Sequence, residues 1–320
     1  MCLNNKNPLL AICIPTYNRA NVLKECLDKF TSEKIFINSN LVEIIISDNC
    51  STDNTKEVCL RFVEKFPNKI RYYQNSENIF DKNFTKVLSY SRSIYSKLNN
   101  DYLYFKEGQL EKIVKYLTIN QDIEMIFFLS SKEVYKKRVI GFDELVNDIT
   151  YNVTFIGGMC YKTESYRKII DPSEYSELHF CQIGVCEKLL LQHNHGLVYS
   201  DNLFDSIPIK KGGYSIPEVF GYCFLSLMYQ LFEKKIISKN TLKKTKKELL
   251  LKHINWFCFR KYKHNFSTRG YFKCLLPFYK YDFYFYNSLL NNYFIKIIKF
   301  IFSIRKQDGV KIYIIFGKKL

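Results

Sequence analysis

The sequence predicts an α/β fold with a mainly parallel sheet flanked by helices, followed by a basic, helical C-terminal extension. Short apolar segments alternate with amphipathic ones three times in about the first ninety residues, which is typical of β/α units in a parallel sheet. Polar loops follow the first two apolar segments, and such sheets bind ligands at the carboxyl ends of their strands. Residues 210–320 carry 23 Lys and Arg against 5 Asp and Glu, whereas residues 1–209 carry 25 against 26.

The first three predicted strands each lead into a predicted helix. Residues 9–15 form a continuous apolar run closed by a proline, as expected of a buried parallel strand. Asn21 is a suitable N-cap for the helix after it, and apolar residues recur there at helical spacing. Residues 42–46 and 70–73 are the second and third strands, and the helical patterns after them cover 58–63 and 84–90.

The rest of the chain divides near residue 213. Before it we expect strands over 124–129, 152–161 and 197–199, and helices over 163–169 and 182–193. After it the pattern is mainly helical, over 219–232, 241–259 and 289–304. The sequence therefore predicts one domain over residues 1–213 and a basic extension over 214–320.

Cysteine usage and hydropathy bear on the cellular compartment. The chain has 11 cysteines, no CxxC pair, and no charged start followed by an apolar core and a cleavage site. We therefore expect reduced thiols and a cytoplasmic location. No apolar run reaches the roughly 18 residues of a membrane span, so we expect a soluble or membrane-peripheral protein.

The loops after the first two strands carry the most specific motifs. Residues 14–19 read IPTYNR, and residues 46–53 read ISDNCSTD. Each alone is also good turn or helix-capping chemistry, but both stand directly after strands, about thirty residues apart. Together they resemble the family 2 glycosyltransferases, and within that family the abequosyltransferase-like enzymes of O-antigen and capsule assembly. The resemblance implies a GT-A fold and a nucleoside diphosphate sugar as donor.

The resemblance also implies which residues hold the donor nucleotide. They are Pro15, Thr16, Tyr17, Asn18, Arg19, Asp48 and Asn49. In the family the first loop packs around the ribose and base, and Asp48 would accept a hydrogen bond from a base N–H. Arg19 would either lie near the phosphates or brace the loop. The third family loop corresponds to residues 77–84, ENIFDKNF, and lacks the glycine expected between Ile79 and Phe80, which changes the shape of the loop.

The resemblance suggests one candidate metal ligand. Family members carry an acidic run that binds a divalent cation, which stabilises the leaving diphosphate. Alignment on the helix start at residues 106–113 places either 101–103 or 99–101 at this run, and both choices leave Asp101 as the single candidate ligand for Mn²⁺ or Mg²⁺. One carboxylate can suffice when phosphates and water complete the octahedron. The alternative is that residues 99–101 form a plain polar turn.

A transferase of this family also needs a general base for the acceptor hydroxyl. Alignment of the helix over 182–193 places Gln182 near this position, and an amide cannot act as a base. Glu177 and His179 lie just upstream and are the candidate catalytic residues. A surface or capping role is the alternative for each.

The resemblance implies transfer of a hexose-type sugar to a saccharide hydroxyl, on a lipid-linked surface-glycan intermediate. Because the metal, base and third-loop motifs all depart from the family pattern, the alternative is a catalytically degenerate binding or scaffold protein. A cleft filled by Tyr102 or Tyr104 would favour that alternative.

The basic extension predicts an acidic partner. Lysines and apolar side chains share the predicted helix over 241–259, and residues 291–306 mix aromatic, aliphatic and cationic residues. Such segments suit an interfacial helix on an anionic membrane, here the inner face of the cell membrane, although a solvated face over a small core is the alternative. Interleaved aromatic and basic residues also occur in nucleic-acid-binding proteins, but no recognised motif accompanies them, so we expect no nucleic acid as a partner.

Overall fold

A computed structural model describes residues 7–209, 212–259, 265–307, 310–315 and 318–319 of the 320-residue chain. The chain forms two compact units. The first comprises Met1–Lys211 and Ser226–Thr245, and the second comprises Gly212–Leu225 and Lys246–Leu320. The division into a transferase domain over residues 1–213 and a basic extension over 214–320 stays a prediction.

The described part of the first unit contains ten strands. In chain order they are β1 (Leu10–Thr16), β2 (Val42–Asp48), β3 (Ile70–Gln74), β4 (Tyr95–Leu98), β5 (Leu103–Phe105), β6 (Met125–Ser130), β7 (Tyr135–Ile140), β8 (Met159–Lys162), β9 (His195–Asp201) and β10 (Phe204–Ser206). Eight of them form one sheet in the order β3-β2-β1-β4-β8-β6-β9-β7, and β5 pairs antiparallel with β10. The pairs around β1 are parallel, and β8 and β7 pair antiparallel with their neighbours. The predicted α/β fold with a mainly parallel sheet is confirmed.

The helices lie between these strands and beyond them. In chain order they are α1 (Ala20–Thr31), α2 (Lys34–Asn38), α3 (Thr55–Lys65), α4 (Lys82–Ser89), α5 (Gln109–Ile119), α6 (Gly141–Ile149), α7 (Thr163–Arg167), α8 (Cys181–His193), α9 (Phe224–Glu233), α10 (Lys239–Glu248), α11 (Asn255–Phe259), α12 (Tyr271–Tyr279) and α13 (Phe283–Ile301).

Burial explains why the first β/α unit forms as predicted. All seven residues of β1 are buried, as expected of a strand covered by helices on both faces. Helix α1 packs its apolar stripe into the same core, with Leu23 and Leu27 fully buried. In the register between β1 and β2, Thr16 lies opposite Asp48. The loops after these two strands therefore leave the sheet side by side.

The predicted strands differ from the structure in β4 and in residues 152–161, and β5, β7 and β10 were not among the predicted strands either. Strand β4 was not predicted because its residues include Ser96 and Lys97, although all four of its side chains are buried. The strand predicted over 152–161 is wrong in its first part, where 3₁₀ turns at Thr150–Thr154 and Ile156–Gly158 precede β8. A Cβ atom on Gly157 would lie 2.2 Å from a methyl carbon of Leu103, so any larger residue in this turn would displace the Leu103 side chain.

The described part of the second unit is mainly helical but includes short strands. The parallel pair β11 (Gly212–Ser215) and β12 (Asn265–Ser267) precedes α12, and β13 (Phe302–Gln307), β14 (Val310–Ile315) and β15 (Lys318–Lys319) form a small antiparallel sheet. The helical segments predicted after residue 213, which are divided between the two units, are confirmed. They include π-helical stretches at Pro217–Cys223 and Leu249–Ile254, but the last helix ends at Ile301. Among the described residues, no helix is both long and apolar enough to cross a bilayer.

Candidate functional site

A cavity of about 410 Å³ opens at the carboxyl ends of β1 and β2, the edge where parallel sheets bind their ligands. Its size lies within the range of small-molecule sites. The lining residues are Pro15, Thr16, Tyr17, Arg19, Asn49, Asn78, Phe80, Asp81, Asn83, Phe84, Asn100, Asp101 and Tyr102. Tyr102 forms part of the wall and leaves the cleft open, and Tyr104 is not among the lining residues.

The first two loops brace each other. The backbone N–H of Asn18 donates to Ser51 Oγ at 2.8 Å, and the Asn18 carboxamide oxygen accepts from the Thr52 N–H at 2.8 Å. Asn18 adopts the left-handed conformation with φ 51°, which asparagine tolerates. Asn18 therefore joins the loops, and its side chain lies outside the cavity lining.

Asp53 connects the starts of two helices. Its carboxylate accepts from the backbone N–H of Ala20 at 3.1 Å and from that of Thr55 at 3.0 Å. Desolvation raises the pKa of Asp53, but the hydrogen bonds from Thr55 and Ala20 outweigh it and lower the pKa overall. This carboxylate caps α1 and α3 together, so the second loop motif has a structural role in fixing the first.

Asp48 lies beneath the cavity wall. Its side chain is fully buried, and it accepts from the Tyr72 hydroxyl at 2.7 Å and from the Ser51 N–H at 2.9 Å. Burial and the Asp48 hydrogen bond raise the pKa of Tyr72 well above its usual value, because the nearby carboxylate disfavours a phenolate. Tyr72 is therefore the hydrogen-bond donor to Asp48. No pattern in the sequence predicted this contact.

Asn49 holds the third loop against the second. Its carboxamide oxygen accepts from the Ile79 N–H at 2.9 Å, and its amide nitrogen donates to the Asn78 side chain at 2.7 Å. Phe80 then adopts φ 50° and remains 78% exposed. The structure therefore places a positive φ on phenylalanine in the part of the loop where the family glycine is missing.

Asp101 lies in the wall of the cavity. Thr16 Oγ1 donates to its Oδ2 at 3.0 Å, and an Arg19 guanidinium nitrogen lies 3.2 Å from its Oδ1. Burial raises the pKa of the Asp101 carboxyl, and the Arg19 charge and the Thr16 hydrogen bond oppose that shift. The Arg19 guanidinium also lies 5.9 Å from the Tyr102 ring centroid.

The donor set near Asp101 fits a cation held by a single protein carboxylate. Within the described ranges, no group of three His, Cys, Asp or Glu residues could enclose a metal ion. Mg²⁺ and Mn²⁺ accept oxygen ligands from phosphates and water as well. Asp101 presents a carboxylate at the cavity, and Arg19, whose side chain is 40% exposed, has room to move off it. A cation here would depend on phosphate oxygens from a ligand.

The two candidate bases occupy a turn before α8. His179 Nδ1 lies 2.7 Å from Asp81 Oδ2, and its side chain is 54% exposed. Asp81 lines the cavity, so His179 lies at its edge. Glu177 is exposed in the turn Ser176–Leu178, without an ion pair to any described residue. Gln182 is buried in the first turn of α8.

Asp81 was not singled out from the sequence, although it stands inside the third loop motif. The Cys181 thiol donates to the Asp81 backbone carbonyl at 3.4 Å, which connects the start of α8 with the start of α4. The third loop and the turn before α8 therefore meet beside the cavity.

The chain is similar in sequence to known proteins. Residues 11–173, about half of the chain, match the family described as Glycosyl transferase family 2. A segment of 89 residues is 39% identical to abequosyltransferase RfbV of Salmonella typhimurium strain LT2, over 27% of this chain and 26% of that protein. The minor teichoic acid biosynthesis protein GgaA of Bacillus subtilis strain 168 is 22% identical over 81% of this chain and 62% of its own length. The chain thus spans less than two thirds of either relative.

Solved structures share the fold. The structure of S. aureus TarS residues 1–349 in complex with UDP-GlcNAc matches with a TM-score of 0.57, at 12% identity, over 98% of both chains. The corresponding UDP complex matches with a TM-score of 0.56, also over 98% of both chains. At this level of identity the likeness shows the architecture, and it agrees with the predicted GT-A fold.

Proposed function

Because the chain belongs to glycosyl transferase family 2, we propose that it transfers a sugar from a nucleoside diphosphate donor to a saccharide hydroxyl. The observation that carries the proposal is the cavity at the carboxyl ends of β1 and β2. Both loops that carry the family motifs border it, and it contains Asp101 and Arg19 in its wall. Asp81 is a second carboxylate in the wall. A polar cleft with one guanidinium and two carboxylates suits a nucleotide whose charged diphosphate meets Arg19 and a cation held by a carboxylate.

We assign the donor nucleotide to the wall formed by Pro15, Thr16 and Tyr17. Tyr17 is 43% exposed and offers a ring face to the base or ribose. Asn18, Asp48 and Asn49 support this wall by joining the three loops. In this proposal Asp48 contributes to base recognition through the position of the Tyr72 hydroxyl, or directly through its remaining lone pairs.

The diphosphate belongs beside Arg19 and Asp101 in this proposal. Arg19 supplies a fixed positive charge in a planar fork that suits phosphate oxygens. If a divalent cation binds, Asp101 would hold it, and the cation would supply charge stabilisation to the leaving diphosphate. Arg19 would then exchange its carboxylate partner for a phosphate.

His179 is our preferred general base. The sugar moves in a displacement in which the acceptor oxygen bonds to the anomeric carbon, the bond from that carbon to the diphosphate breaks, and the acceptor proton passes to the base. With Nδ1–H donated to Asp81, the neutral imidazole presents the lone pair of Nε2. Glu177 remains the second candidate, and it has no comparable orienting partner among the described residues.

The acceptor is proposed to be a lipid-linked saccharide of a surface polysaccharide, of the O-antigen, capsule or lipooligosaccharide type. The names of the two relatives, an abequosyltransferase and a minor teichoic acid biosynthesis protein, support this class. We place the protein in the cytoplasm, peripheral on the inner face of the membrane, where residues 210–320 with 23 basic against 5 acidic side chains would meet anionic lipids. Nucleic acid is not part of the proposal.

Calorimetric titration with UDP, CDP, GDP and dTDP, with and without Mn²⁺, tests the donor site. We expect one nucleotide to bind more tightly than the others and to lose affinity in Arg19→Ala. Absence of binding by all four would overturn the donor site.

Turnover is tested separately, by nucleotide release from the corresponding sugar donors in the presence of membrane extracts that contain lipid-linked saccharides. Binding without any release would identify the alternative, a catalytically degenerate binding or scaffold protein.

A further inference from the structure

We propose that the second unit contains its own binding site for a phosphate-bearing saccharide. A cavity of about 860 Å³ lies wholly within that unit. Its lining residues are Tyr214, Ser215, Glu218, Tyr222, Ser267, Arg269, Gly270, Lys273 and Cys274, none of which belongs to the donor site.

Aromatic rings give the cavity surfaces on which a sugar can stack. Tyr214 is 41% exposed and Tyr222 is 50% exposed, while each packs against another ring. The Tyr214 centroid lies 4.8 Å from that of Phe266, and the Tyr222 centroid lies 6.1 Å from that of Phe278. Rings that pack against a neighbour and remain this exposed offer apolar area at little entropic cost, which suits the C–H face of a pyranose.

The charges of the cavity favour an anion. Arg269 and Lys273 are both exposed at its wall, and neither makes an ion pair with another residue in the described part of the chain. Arginine is especially suited to a phosphate because its planar fork donates two parallel hydrogen bonds. Glu218 offers a hydrogen-bond acceptor for sugar hydroxyls at the same wall. Cations together with an acceptor and ring faces fit a sugar phosphate better than a neutral sugar.

The framework of the cavity is already formed. Ser215 Oγ donates to the Arg269 carbonyl at 3.0 Å and accepts from the Glu218 N–H at 3.3 Å. Ser267 Oγ accepts from the Arg269 N–H at 3.2 Å. The Ser215–Arg269 bond ties the segment before the π-helical stretch to the segment before α12, and the other two bonds fix the local turns. The backbone that carries Arg269 and Glu218 is therefore ordered before a ligand arrives.

We identify the sugar phosphate as the phosphate-bearing part of a surface-glycan acceptor, and this identification rests on the proposed function. The binding of a sugar phosphate to the cavity does not depend on it. The phosphosaccharide could be a soluble polymer segment or the headgroup of a lipid-linked intermediate. Both present the same chemistry to the cavity, so the experiment must separate them.

The test is calorimetric titration of the full chain with glucose 1-phosphate, glucose and inorganic phosphate. We expect glucose 1-phosphate to bind more tightly than either of the others, and to weaken by about tenfold in Arg269→Ala and in Tyr222→Ala. Lys280→Ala, an exposed cation of the same unit outside the cavity, should leave binding unchanged. Arg269→Lys should recover part of the affinity.

Three outcomes would overturn the proposal: no binding of glucose 1-phosphate, equal binding of phosphate alone with no effect of Tyr222→Ala, or an equal loss in Lys280→Ala. Circular dichroism and urea unfolding of each variant show that it is folded. Nucleoside diphosphate titration can fail or succeed independently of glucose 1-phosphate, which separates this proposal from the donor site.

Vesicles with and without phosphatidylinositol distinguish the sources. Competition between glucose 1-phosphate and phosphatidylinositol vesicles supports a lipid headgroup in this cavity, and binding of glucose 1-phosphate without competition supports a soluble segment. If vesicles bind but glucose 1-phosphate does not, the lipid contact lies outside the cavity, and the proposal that the cavity binds a phosphosaccharide is wrong.

Discussion

His179 and Asp81 form an imidazole–carboxylate pair, with Nδ1 2.7 Å from Oδ2, although 98 positions separate them in the chain. Asp81 precedes α4 and His179 precedes α8. Because the Cys181 thiol also reaches the Asp81 carbonyl, the contact between these two helix starts determines where the imidazole points. The pair therefore connects the third loop motif to the proposed base.

Asp81→Asn tests whether this pair orients the base. An amide that donates toward Nδ1 favours the wrong tautomer, so we expect kcat to fall by about 100-fold while the nucleotide dissociation constant stays the same. His179→Ala should cost at least as much, and the double variant should be no slower than His179→Ala, because the two residues act as one unit. Rates of sugar transfer and calorimetric nucleotide affinities measure this.

Glu177→Gln is the matched control because it removes a carboxylate from the same turn. It should retain most of the native rate. If it instead loses activity and His179→Ala does not, Glu177 is the base and the His179–Asp81 pair is structural.

Asp101→Asn tests the proposed cation site. The carboxamide still accepts a hydrogen bond from Thr16 but lacks the negative charge that a cation requires. We expect Mn²⁺ to increase nucleotide affinity in the native chain by about tenfold, equivalent to about 1.4 kcal/mol, and to have no effect in the variant. Calorimetric titration with and without EDTA measures the difference.

Asp28→Asn provides the comparison, since Asp28 is an exposed carboxylate on α1. It should preserve the Mn²⁺ effect. If Mn²⁺ still increases nucleotide affinity in Asp101→Asn, the cation is held by the nucleotide phosphates alone and Asp101 is not a metal ligand.

Phe80→Gly tests the unusual backbone of the third loop. A non-glycine residue at positive φ costs about 1–2 kcal/mol, whereas glycine costs about 0.5–1 kcal/mol through the entropy of the unfolded chain. Since Phe80 is 78% exposed, little burial is lost, and we expect the free energy of unfolding to rise by up to about 1 kcal/mol. Urea unfolding measures this.

The same variant should lose activity if the Phe80 ring contacts a substrate in the cavity that it lines. Ile170→Gly is the control, because Ile170 is 87% exposed and is not among the residues with positive φ, so it should lose stability. A loss of stability in Phe80→Gly that equals the loss in Ile170→Gly would show that the conformation carries no strain.

The sequence predicted the first β/α units well because their signals are local. Apolar runs such as residues 9–15 need only burial in a sheet to form strands. The N-cap predicted for α1 was wrong: the helix begins at Ala20, one residue before Asn21, and Asp53 of the second loop accepts from the Ala20 N–H. The roles of Asn49 and Asp48 could not be predicted in the same way, since Asn49 holds the backbone at Ile79 and Asp48 meets Tyr72. These partners are distant in sequence and come together only when the parallel register is formed.

Strand β4 shows why a hydropathy pattern can miss an element. The buried Ser96 hydroxyl lies 2.7 Å from that of Thr163. The buried Lys97 Nζ donates to the Asn99 side-chain oxygen at 2.7 Å and lies 4.8 Å from the Phe204 ring centroid and 5.3 Å from that of Phe105. Polar residues in a core depend on such specific partners, which no local periodicity reveals.

Lys97→Met tests the energetic consequence of that buried lysine. Burial lowers the pKa of Lys97 to about 7, whereas an unfolded chain holds the proton up to about pH 10.4. Between these values the unfolded state binds a proton that the native state lacks, so the free energy of unfolding rises with pH, by at most about 1.4 kcal/mol per pH unit. Urea unfolding of the native chain at about pH 7 and about pH 9, between the two pKa values, should show this increase in the free energy of unfolding.

In Lys97→Met this rise should be absent, and the variant should gain stability relative to the native chain as pH falls from about 10 to about 7. Methionine can pack against Phe105 and Phe204, but it leaves the Asn99 side-chain oxygen without the Lys97 amine nitrogen that lies 2.7 Å away. At the alkaline end, where the native amine is neutral and still donates, the variant should therefore be the less stable chain. Lys56→Met, which changes an exposed lysine on α3, should keep the native pH dependence. Parallel pH profiles for Lys97→Met and the native chain would show that the Lys97 ammonium stays charged in the core, stabilised by the two rings and the Asn99 oxygen.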